Sequence, residues 1–381
     1  MKINKEKINN NYSYRRIVAK VGTSSLTAGS NRLNIEKMTD LVAQIAGLHN
    51  QGVEVVLVTS GAAAAGRERL GLTKKIKGIP YKQILASVGQ SRLMNVYEHL
   101  FDQYDIIVGQ ALLTKLEMID REGYLNTRNT LLALLEMGVI PIINENDVVA
   151  VDEIGEAIFG DNDNLSAMVA NLIDADLLII LSDIDGLYTA DPNRDPSAKL
   201  IPVVEKVDDY ILSLVSGSAS GLGTGGMVTK IEAAKLATAS GVTMVIANSH
   251  EHDVLVRVAG GETLGTRFLP TKNKLDSRER WLLSGLRTRG KLVIDDGAAL
   301  ALRKNKRSLL AAGIQQVEGN FQRGDIIDIC DQQGARLGSG ITNYTAVEVQ
   351  SIKGAHSDKI NSLLGYDSGS EVVHRNNLVI L

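Results

Sequence analysis

The sequence predicts a three-layer α/β/α sandwich around a mainly parallel sheet, followed by a small, mostly-β domain. From residue 16 to about residue 269, apolar runs of strand length alternate with amphipathic helical segments. Strands that are buried on both faces appear as continuous apolar runs, and the helices between them cover those faces. The alternation stops near Thr271, and short strand-like runs separated by turn residues follow from Arg289 onward.

The elements of the first domain are predicted from their periodicity, in chain order. Asn34 caps the first long helix, which carries apolar residues on one face as far as Leu48. The other predicted helices cover residues 84–101, 125–137, 165–172 and about 229–241. The predicted strands are 17–21, 53–59, 106–113, 139–144, 177–182 and 242–247.

The domain boundaries follow from changes in composition. Residues 1–15 are polar and Asn-rich, and we expect a disordered tail there. The α/β domain is expected at 16–270, a charged linker at 271–288, the β-rich domain at 289–367, and a C-terminal strand or tail at 368–381. Predicted strands of the β-rich domain are 291–294, 314–318, 326–330 and 346–350.

Composition excludes several classes of protein. The 381 residues carry a net charge of −3, which does not favour nucleic acid or an anionic membrane as a partner. The single cysteine, Cys330, excludes an internal disulfide and fits a reducing compartment. The N-terminus lacks the apolar core of a secretory signal, and the apolar runs are too short to span a membrane. We therefore expect a cytoplasmic protein.

Polar residues are concentrated where the predicted strands end. In an open α/β sheet, ligands bind outside the carboxyl ends of the strands. The polar residues at these ends are Lys20, Ser60, Asn144, Asp147, Ser182 and Asp183, while Asp161, Asn162 and Asp163 open the next helix. The hydrogen-bonding groups among them suit a small polar substrate that carries an amine and a carboxylate. The sequence shows neither a Ser-His-Asp arrangement nor a Cys/His metal-binding spacing.

Each of these residues also has a purely structural interpretation, which the sequence leaves open. Lys20 could extend from a strand end to solvent, and Ser60 could cap a helix. Asp161 and Asp163 could be the N-cap and a first-turn carboxylate of the following helix. The glycine-rich loop at 220–230 could be an exposed surface loop. Their joint placement at one edge of the sheet nevertheless favours a binding crevice.

The loop SGLGTGGMVTK, residues 220–230, predicts contact with phosphate. It contains G-x-G-x-x-G, but no strand leads directly into its first glycine, so the dinucleotide interpretation fails. The Gly-Lys-Ser/Thr of a Walker A loop is absent as well. Clustered backbone N–H groups with Lys20 and Lys230 suit a polyphosphate and the group that it transfers. A carboxylate between the lysines could orient them, and a divalent ion could neutralise phosphate oxygens.

These motifs together resemble the amino acid kinase family, and within it the branch that phosphorylates glutamate. The motifs are VAKVGTSSLT, VLVTSGAAAAGR, ASVGQSRLM, NENDVVA, GDNDNLSA, DIDGLYTADP and SGLGTGGMVTK, in that order. The β-rich segment, with GNFQRGD, GAHSDKI and LLGY, resembles the PUA domain. The resemblance covers almost the whole chain after the N-terminal tail.

The resemblance implies ATP- and Mg²⁺-dependent phosphorylation of the γ-carboxylate of L-glutamate to glutamyl 5-phosphate, the first step of proline biosynthesis. It also implies inhibition by proline, and we expect a homo-oligomer. Lys20 and Lys230 would stabilise the transferring phosphoryl group, Asp163 would organise them, and Mg²⁺ would be held mainly by ATP rather than by protein ligands. The residues implied to contact ATP are Lys20, Ser182, Asp183, Thr224, Gly225, Gly226, Met227, Val228, Thr229 and Lys230. Those implied to hold glutamate are Ser60, Asp147 and Asn162, with Asn144 and Asp161 close by.

Two alternatives remain open at this stage. One is another kinase of the same fold, acting on acetylglutamate, aspartate, carbamate or UMP. The other is RNA binding through the PUA-like domain, where residues 289–367 contain 10 Lys or Arg and 9 Asp or Glu, a net charge of +1. Only the run RKNKR at 303–307 is notably basic, and a surface that tracks phosphates should be more positive. We therefore do not expect nucleic acid as a partner.

Overall fold

The computed structural model describes residues 12–30, 32–72, 79–114, 117–118, 120–149, 162–192, 194–216, 225–271, 288–305, 307–366 and 369–380. The chain divides into two compact units, the first made of Met1–Lys115 and Arg128–Lys274. The second is made of Leu116–Thr127 and Leu275–Leu381. Across the described ranges, none of the helices has the length and apolar character that a membrane crossing needs.

The first unit confirms the predicted α/β fold. Its strands form one sheet in the order β3-β4-β2-β1-β5-β7-β8-β6, in which only the pairing of β7 with β8 is antiparallel. The strand order reverses at β1, which pairs with β2 on one side and with β5 on the other. Such a reversal is where open α/β sheets bind ligands. The strands are β1 (Arg16–Val21), β2 (Glu54–Val58), β3 (Val108–Leu113), β4 (Ile140–Glu145), β5 (Leu177–Ser182), β6 (Val203–Val204), β7 (Thr243–Asn248) and β8 (Thr266–Phe268).

The helices of this unit begin close to the predicted positions. Asn34 is confirmed as an N-cap, because its side chain accepts a hydrogen bond of 3.0 Å from the Lys37 N–H. Four helices begin three to five residues earlier than predicted, at Ile79, Arg121, Asn162 and Gly225, and the last two starts place the candidate site residues in the first two turns of their helices. The described helices are α1 (Thr23–Thr27), α2 (Ile35–Asn50), α3 (Ala62–Arg69), α4 (Ile79–Asp102), α5 (Arg121–Glu136), α6 (Asn162–Leu172), α7 (Asp209–Ser216), α8 (Gly225–Ala239) and α9 (Val254–Ala259).

Helices α3 and α4 meet backbone to backbone. A Cβ placed on Gly66 of α3 would lie 1.9 Å from the carbonyl oxygen of Leu85, and one on Gly89 of α4 would lie 1.8 Å from that of Ala62. Both distances are far inside van der Waals contact, so only glycine fits at either position. Two glycines, one in each helix, therefore set the spacing of this pair.

The second unit is β-rich, as predicted. Its strands form a five-stranded sheet in the order β11-β9-β12-β13-β15 and a two-stranded sheet of β10 with β14. Cys330 is buried at the end of β12, and burial raises the pKa of its thiol. The strands are β9 (Gly290–Ile294), β10 (Leu309–Leu310), β11 (Ile314–Gly319), β12 (Ile326–Cys330), β13 (Arg336–Ile341), β14 (Glu371–Val373) and β15 (Leu378–Ile380). The described helices are α10 (Asp296–Asn305), α11 (Ala346–Ile352) and α12 (Ile360–Leu364).

One predicted strand of this unit is wrong. Residues 346–350 belong to helix α11, and its start is fixed by a capping box. The Thr345 side chain accepts from the Glu348 N–H, while the Glu348 carboxylate accepts from the Thr345 N–H at 2.7 Å. This signal, Thr followed by Glu three residues later, is visible in the sequence. The alternation of Val347 and Val349 was misleading, since Val349 is buried while Val347 is exposed on the other side of the helix.

Two boundary regions differ from the predicted division. The segment 116–127 falls within the predicted α/β domain but belongs to the second unit, where Leu125 packs with Ile341 and Val379. From the predicted tail, Tyr12 and Tyr14 pack against the core of the first unit. The remainder of that tail, residues 1–11, and most of the predicted linker, residues 272–287, lie outside the described residues.

The contact between α3 and α4 yields a prediction with an internal control. Gly89→Ala should lower the free energy of unfolding by about 1–3 kcal/mol, because the added methyl group overlaps backbone atoms of α3. Gly47→Ala, within α2, should instead raise it by about 0.4–1 kcal/mol, since a Cβ there meets no atom within 4 Å. Urea unfolding of both variants measures whether the free energy of unfolding falls for Gly89→Ala and rises for Gly47→Ala. Equal changes in both would contradict the proposed close packing.

Candidate active site

The centre of the candidate site is a carboxylate held between two lysines. The Asp163 Oδ1 lies 2.5 Å from the Lys20 Nζ, and its Oδ2 lies 3.0 Å from the Lys230 Nζ. The Asp163 side chain is fully buried, and those of Lys20 and Lys230 are 4% and 9% exposed. The Thr229 hydroxyl also donates to Oδ2, at 3.0 Å. Both oxygens of Asp163 are therefore engaged by cations or donors.

Three separate elements bring these groups together. Lys20 is the penultimate residue of β1, at the reversal of the strand order, where its neighbours in register are Val58 and Ile180. Asp163 stands in the first turn of α6, where the helix dipole favours a carboxylate. Lys230 stands in the second turn of α8 and also donates to the carbonyl oxygen of Gly226 at 3.0 Å. The predicted arrangement of a carboxylate between two lysines is thus present in the structure.

The charge of this cluster suits an anion. Two ammonium groups and one carboxylate sum to +1 at a buried position. Removing a charge from water is costly unless it is compensated, and a buried excess of positive charge is compensated by a bound anion. The N-terminus of α8 adds backbone N–H groups and the positive end of the helix dipole. Phosphate is an anion that this combination binds in many proteins.

The first turns of α8 contain most of the residues that the resemblance assigns to ATP, namely Gly225, Gly226, Met227, Val228, Thr229 and Lys230. This is the place where backbone N–H groups have no partner within the helix. Thr224 lies outside the described residues, as does Asp161. Ser182 ends β5 and is buried, and its hydroxyl donates to the exposed carboxylate of Asp183 at 3.2 Å. Both side chains therefore lie at the same sheet edge as Lys20.

A second polar cluster lies at the carboxyl ends of β2 and β4. The Asn162 Nδ2 is 2.9 Å from both the Ser60 Oγ and the Asn144 Oδ1, and it also contacts the carbonyl oxygen of Thr59. Asn144 Oδ1 accepts a further hydrogen bond from the N–H of Glu145, at 2.9 Å. These acceptors determine how the Asn162 amide is oriented, because the reverse orientation would set oxygen against oxygen.

The structure decides between the interpretations that the sequence left open. Lys20 does not extend to solvent, since the whole residue is 3% exposed. Ser60 does not cap α3, whose N-cap is Gly61 in the left-handed region with φ of 97°. Asp163 is a first-turn carboxylate, yet its side chain binds the two lysines as well. The charged residues at this edge of the sheet therefore make specific contacts with one another.

Helix α4 forms a wall of the site that the sequence analysis did not assign. Its Gln90 accepts a hydrogen bond of 2.9 Å from the Asn144 Nδ2, and its Gln83 donates to the carbonyl oxygen of Val148 at 3.3 Å. The Tyr97 hydroxyl lies 2.7 Å from that of Thr59. Residues 83, 90 and 97 recur every seven positions, which places them on one helix face. That polar spacing within an apolar helix was a signal available in the sequence.

Asp147, assigned to glutamate by the resemblance, lies in the turn after β4. Its Oδ1 is 3.2 Å from the Nζ of Lys82, in the first turn of α4. The Asp147 side chain is 15% exposed and that of Lys82 is 52% exposed. Of the residues predicted to hold glutamate, Asn162 thus contacts both Ser60 and Asn144, and Asp147 follows Asn144 by three residues.

Tyr97 is a neutral group beneath this cluster. Burial raises the pKa of its hydroxyl, and the hydrogen bond to Thr59 lowers it by less. The hydroxyl therefore keeps its proton at any physiological pH and acts as a structural hydrogen-bonding partner. Within the described residues, no group of three or more His, Cys, Asp and Glu side chains is arranged to hold a metal ion.

Comparisons with known proteins agree with this architecture. The model of the amino acid kinase family matches residues 15–248, which contain both polar clusters. The model of the PUA domain matches residues 290–364 in the β-rich second unit. The two matches follow one another along the chain without overlap, as the motifs predicted.

Similar proteins extend the match over nearly the whole chain. A glutamate 5-kinase of Dehalococcoides mccartyi strain 195 is 58% identical over 372 residues, covering 98% of this chain and 100% of the relative. Those of Herpetosiphon aurantiacus and Shewanella amazonensis are 51% and 50% identical over 366 and 368 residues. They cover 96% and 97% of this chain, and 98% and 96% of the relatives. The chain is a phosphotransferase that belongs to the amino acid kinase family, in the glutamate 5-kinase group, and it carries a C-terminal PUA domain.

Proposed function

We propose that this enzyme transfers the γ-phosphoryl group of MgATP to the γ-carboxylate of L-glutamate, giving glutamyl 5-phosphate and ADP. The observation that carries the proposal is the buried cluster of Lys20, Asp163 and Lys230, which has a net charge of +1 at the reversal of the strand order. The relatives named glutamate 5-kinase support the choice of glutamate.

The lysines can act on the transferring phosphoryl group without any proton transfer. A carboxylate oxygen of glutamate attacks the γ-phosphorus, and the bond from that phosphorus to the bridging oxygen of ADP breaks. The nucleophile is already ionised, so positioning and charge stabilisation account for catalysis. Lys20 and Lys230, fixed by Asp163, are preorganised for the negative charge that is shared among the phosphoryl oxygens.

ATP would lie along the ends of β1 and β5 and the start of α8. The backbone N–H groups of the first turn of α8 point out of the N-terminal end of the helix, which is where anions bind helices. Thr224, Ser182 and Asp183 are included in this proposal from the family motif. The metal ion is part of the MgATP substrate, and both oxygens of Asp163 are already bound by the lysines and Thr229, which supports ATP phosphates as its main ligands.

Glutamate would bind beside Ser60, Asn144, Asp147 and Asn162, with Asp161 as a further contact implied by the motif. Asn162 and Asn144 are buried and hold one another by hydrogen bonds, so their polar atoms are fixed before a ligand arrives. Asp147 supplies a carboxylate for the ammonium group of the amino acid. Asn162 directly precedes Asp163, which joins the substrate cluster to the phosphoryl cluster through one peptide unit.

Some parts of the proposal rest on the family resemblance. These are inhibition by proline at or near the glutamate site, assembly into a homo-oligomer, and a cytoplasmic location. Proline shares an α-carboxylate and a cationic amine with glutamate, and the same groups of the protein would therefore bind it.

A substrate comparison tests the reaction. Purified protein with ATP, Mg²⁺ and hydroxylamine should give hydroxamate with glutamate, because hydroxylamine traps an acyl phosphate. Acetylglutamate, aspartate and carbamate serve as competing substrates, UMP is followed through ADP release, and proline is added in a second series. We expect a signal with glutamate alone, reduced by proline. A preference for another acceptor would assign the enzyme to a different member of the fold.

Lys230→Met tests the phosphoryl cluster. It keeps most of the aliphatic stem and removes the ammonium, so kcat should fall by about 10²–10³, as expected for loss of one preorganised group at the developing charge. Lys235→Met, at an exposed position of the same helix, is the matched control and should retain activity. Steady-state kinetics on both proteins, with circular dichroism as a check on folding, provides the measurement. Near-normal turnover of Lys230→Met would rule out this role.

Asn162→Ala tests the glutamate cluster. It removes the hydrogen bonds to Ser60 and Asn144, so the KM for glutamate should rise by tenfold or more while the KM for ATP changes little. Asn164→Ala is matched in residue type, helix and burial, since both residues are 8% exposed, but Asn164 bonds to Glu232 instead. A larger effect on the KM for ATP than on the KM for glutamate would contradict the assignment of Asn162 to glutamate binding.

A further inference from the structure

The ion pair between Lys82 and Asp147 places a protein ammonium group on the carboxylate that would bind the substrate's ammonium. The Lys82 Nζ lies 3.2 Å from the Asp147 Oδ1. A lysine side chain and the α-amino group of an amino acid are both primary ammonium ions, with the same charge and the same donors. The structure thus shows Asp147 paired with a cation of the kind proposed for its ligand.

The two partners of this pair differ in freedom of movement. The turn that carries Asp147 is fixed, since the Asn146 N–H donates to Leu113 at 2.9 Å and the Gln83 side chain donates to the carbonyl of Val148 at 3.3 Å. The Asp147 side chain is only 15% exposed. The Lys82 side chain is 52% exposed on a flexible four-carbon stem, so its ammonium group can exchange the carboxylate for water.

We propose that Lys82 is an internal counter-ion that competes with the substrate's ammonium group for Asp147, and so weakens the binding of an amino acid relative to a diacid that lacks the amine. This inference rests on the proposed function of the site. Two ammonium ions at one carboxylate repel each other, so glutamate either displaces Lys82 or binds against its charge. Both cases weaken the binding of glutamate. A diacid without an amine leaves the pair intact and avoids that cost.

The expected effect is modest because the pair is partly exposed. Ion pairs of this kind contribute about 0.2–1 kcal/mol, which corresponds to a change of roughly 1.4- to 5-fold in a binding constant. Loss of Lys82 should therefore lower the KM for glutamate by about 1.4- to fivefold. It should raise the inhibition constant of glutarate, because glutarate would then cover Asp147 and leave that carboxylate without a cation. Opposite signs for the two ligands are the signature of competition.

The test uses the full-length enzyme with saturating MgATP. Lys82→Ala and Lys82→Met are compared with wild type for the KM and kcat of glutamate and for competitive inhibition by glutarate, the diacid that lacks the amine. Lys82→Met retains most of the aliphatic stem that Lys82→Ala removes, so the two variants separate loss of the charge from loss of the stem. We expect both variants to lower the KM for glutamate and to raise the inhibition constant of glutarate. The kcat for glutamate should stay close to that of wild type.

A double-mutant cycle checks that the effect runs through Asp147. Asp147→Asn removes the negative charge for which Lys82 and the substrate's ammonium group would compete. In that background, Lys82→Met should no longer lower the KM for glutamate. Lys235→Met, which removes one exposed positive charge from α8, corrects for a change in overall charge.

The outcomes separate this inference from the proposed function. If wild type makes no hydroxamate with glutamate, the proposed function fails, whatever Lys82 does. If wild type uses glutamate and Lys82→Met raises the KM of glutamate and the inhibition constant of glutarate together, Lys82 attracts a ligand carboxylate and the competition is overturned. The competition is equally overturned when neither constant changes by more than the Lys235→Met control.

Discussion

The burial of Asp163 between Lys20 and Lys230 is the constraint on which the rest of the structure depends. A fully buried carboxylate must be paired, and its two oxygens bind cations from two different elements, β1 and α8. Asp163 thereby fixes the first turn of α6 against the central strand and against α8. The Thr229 hydroxyl and the bond from Asn164 to Glu232 reinforce the second contact. Removing the carboxylate of Asp163 would leave two uncompensated ammonium groups in the interior, and breaking a buried pair in this way typically costs about 3–5 kcal/mol.

Stability alone does not account for this arrangement. The pairing of Asp163 requires one positive charge, and Lys230, in the second turn of α8, supplies it. Lys20 adds a second positive charge at the same place. The protein therefore concentrates positive potential where folding does not reward it, and the anion that we propose to bind there would offset that cost. The cluster is preorganised because Asp163 fixes the lysines before the ligand arrives.

The sequence predicted the α/β unit and the Lys-Asp-Lys cluster well, for identifiable reasons. Buried parallel strands produce long apolar runs, and their carboxyl ends meet at one edge, so Lys20 could be linked to a loop two hundred residues away. The second unit was harder, because its elements are short. Residues 346–350 form a helix through a capping box, and strand β13 (RLGSGI) lacks an apolar run, since Gly338 and Gly340 admit the backbone of Val379 and the side chain of Val373.

Helix α4 is the part of the site that the sequence did not reveal. Two adjacent residues of this helix, Gly89 and Gln90, connect its packing against α3 to the site. Gly89 permits the backbones of α3 and α4 to touch, and Gln90 immediately follows it and reaches Asn144. A side chain at position 89 would move α4 outward, and the hydrogen bond of Gln90 would lengthen with it. Gly66 in α3 and Gly89 with Gln90 in α4 therefore act together to keep α4 within hydrogen-bond distance of Asn144 in β4. Periodicity could not reveal this link, because it depends on how closely two helices approach in space.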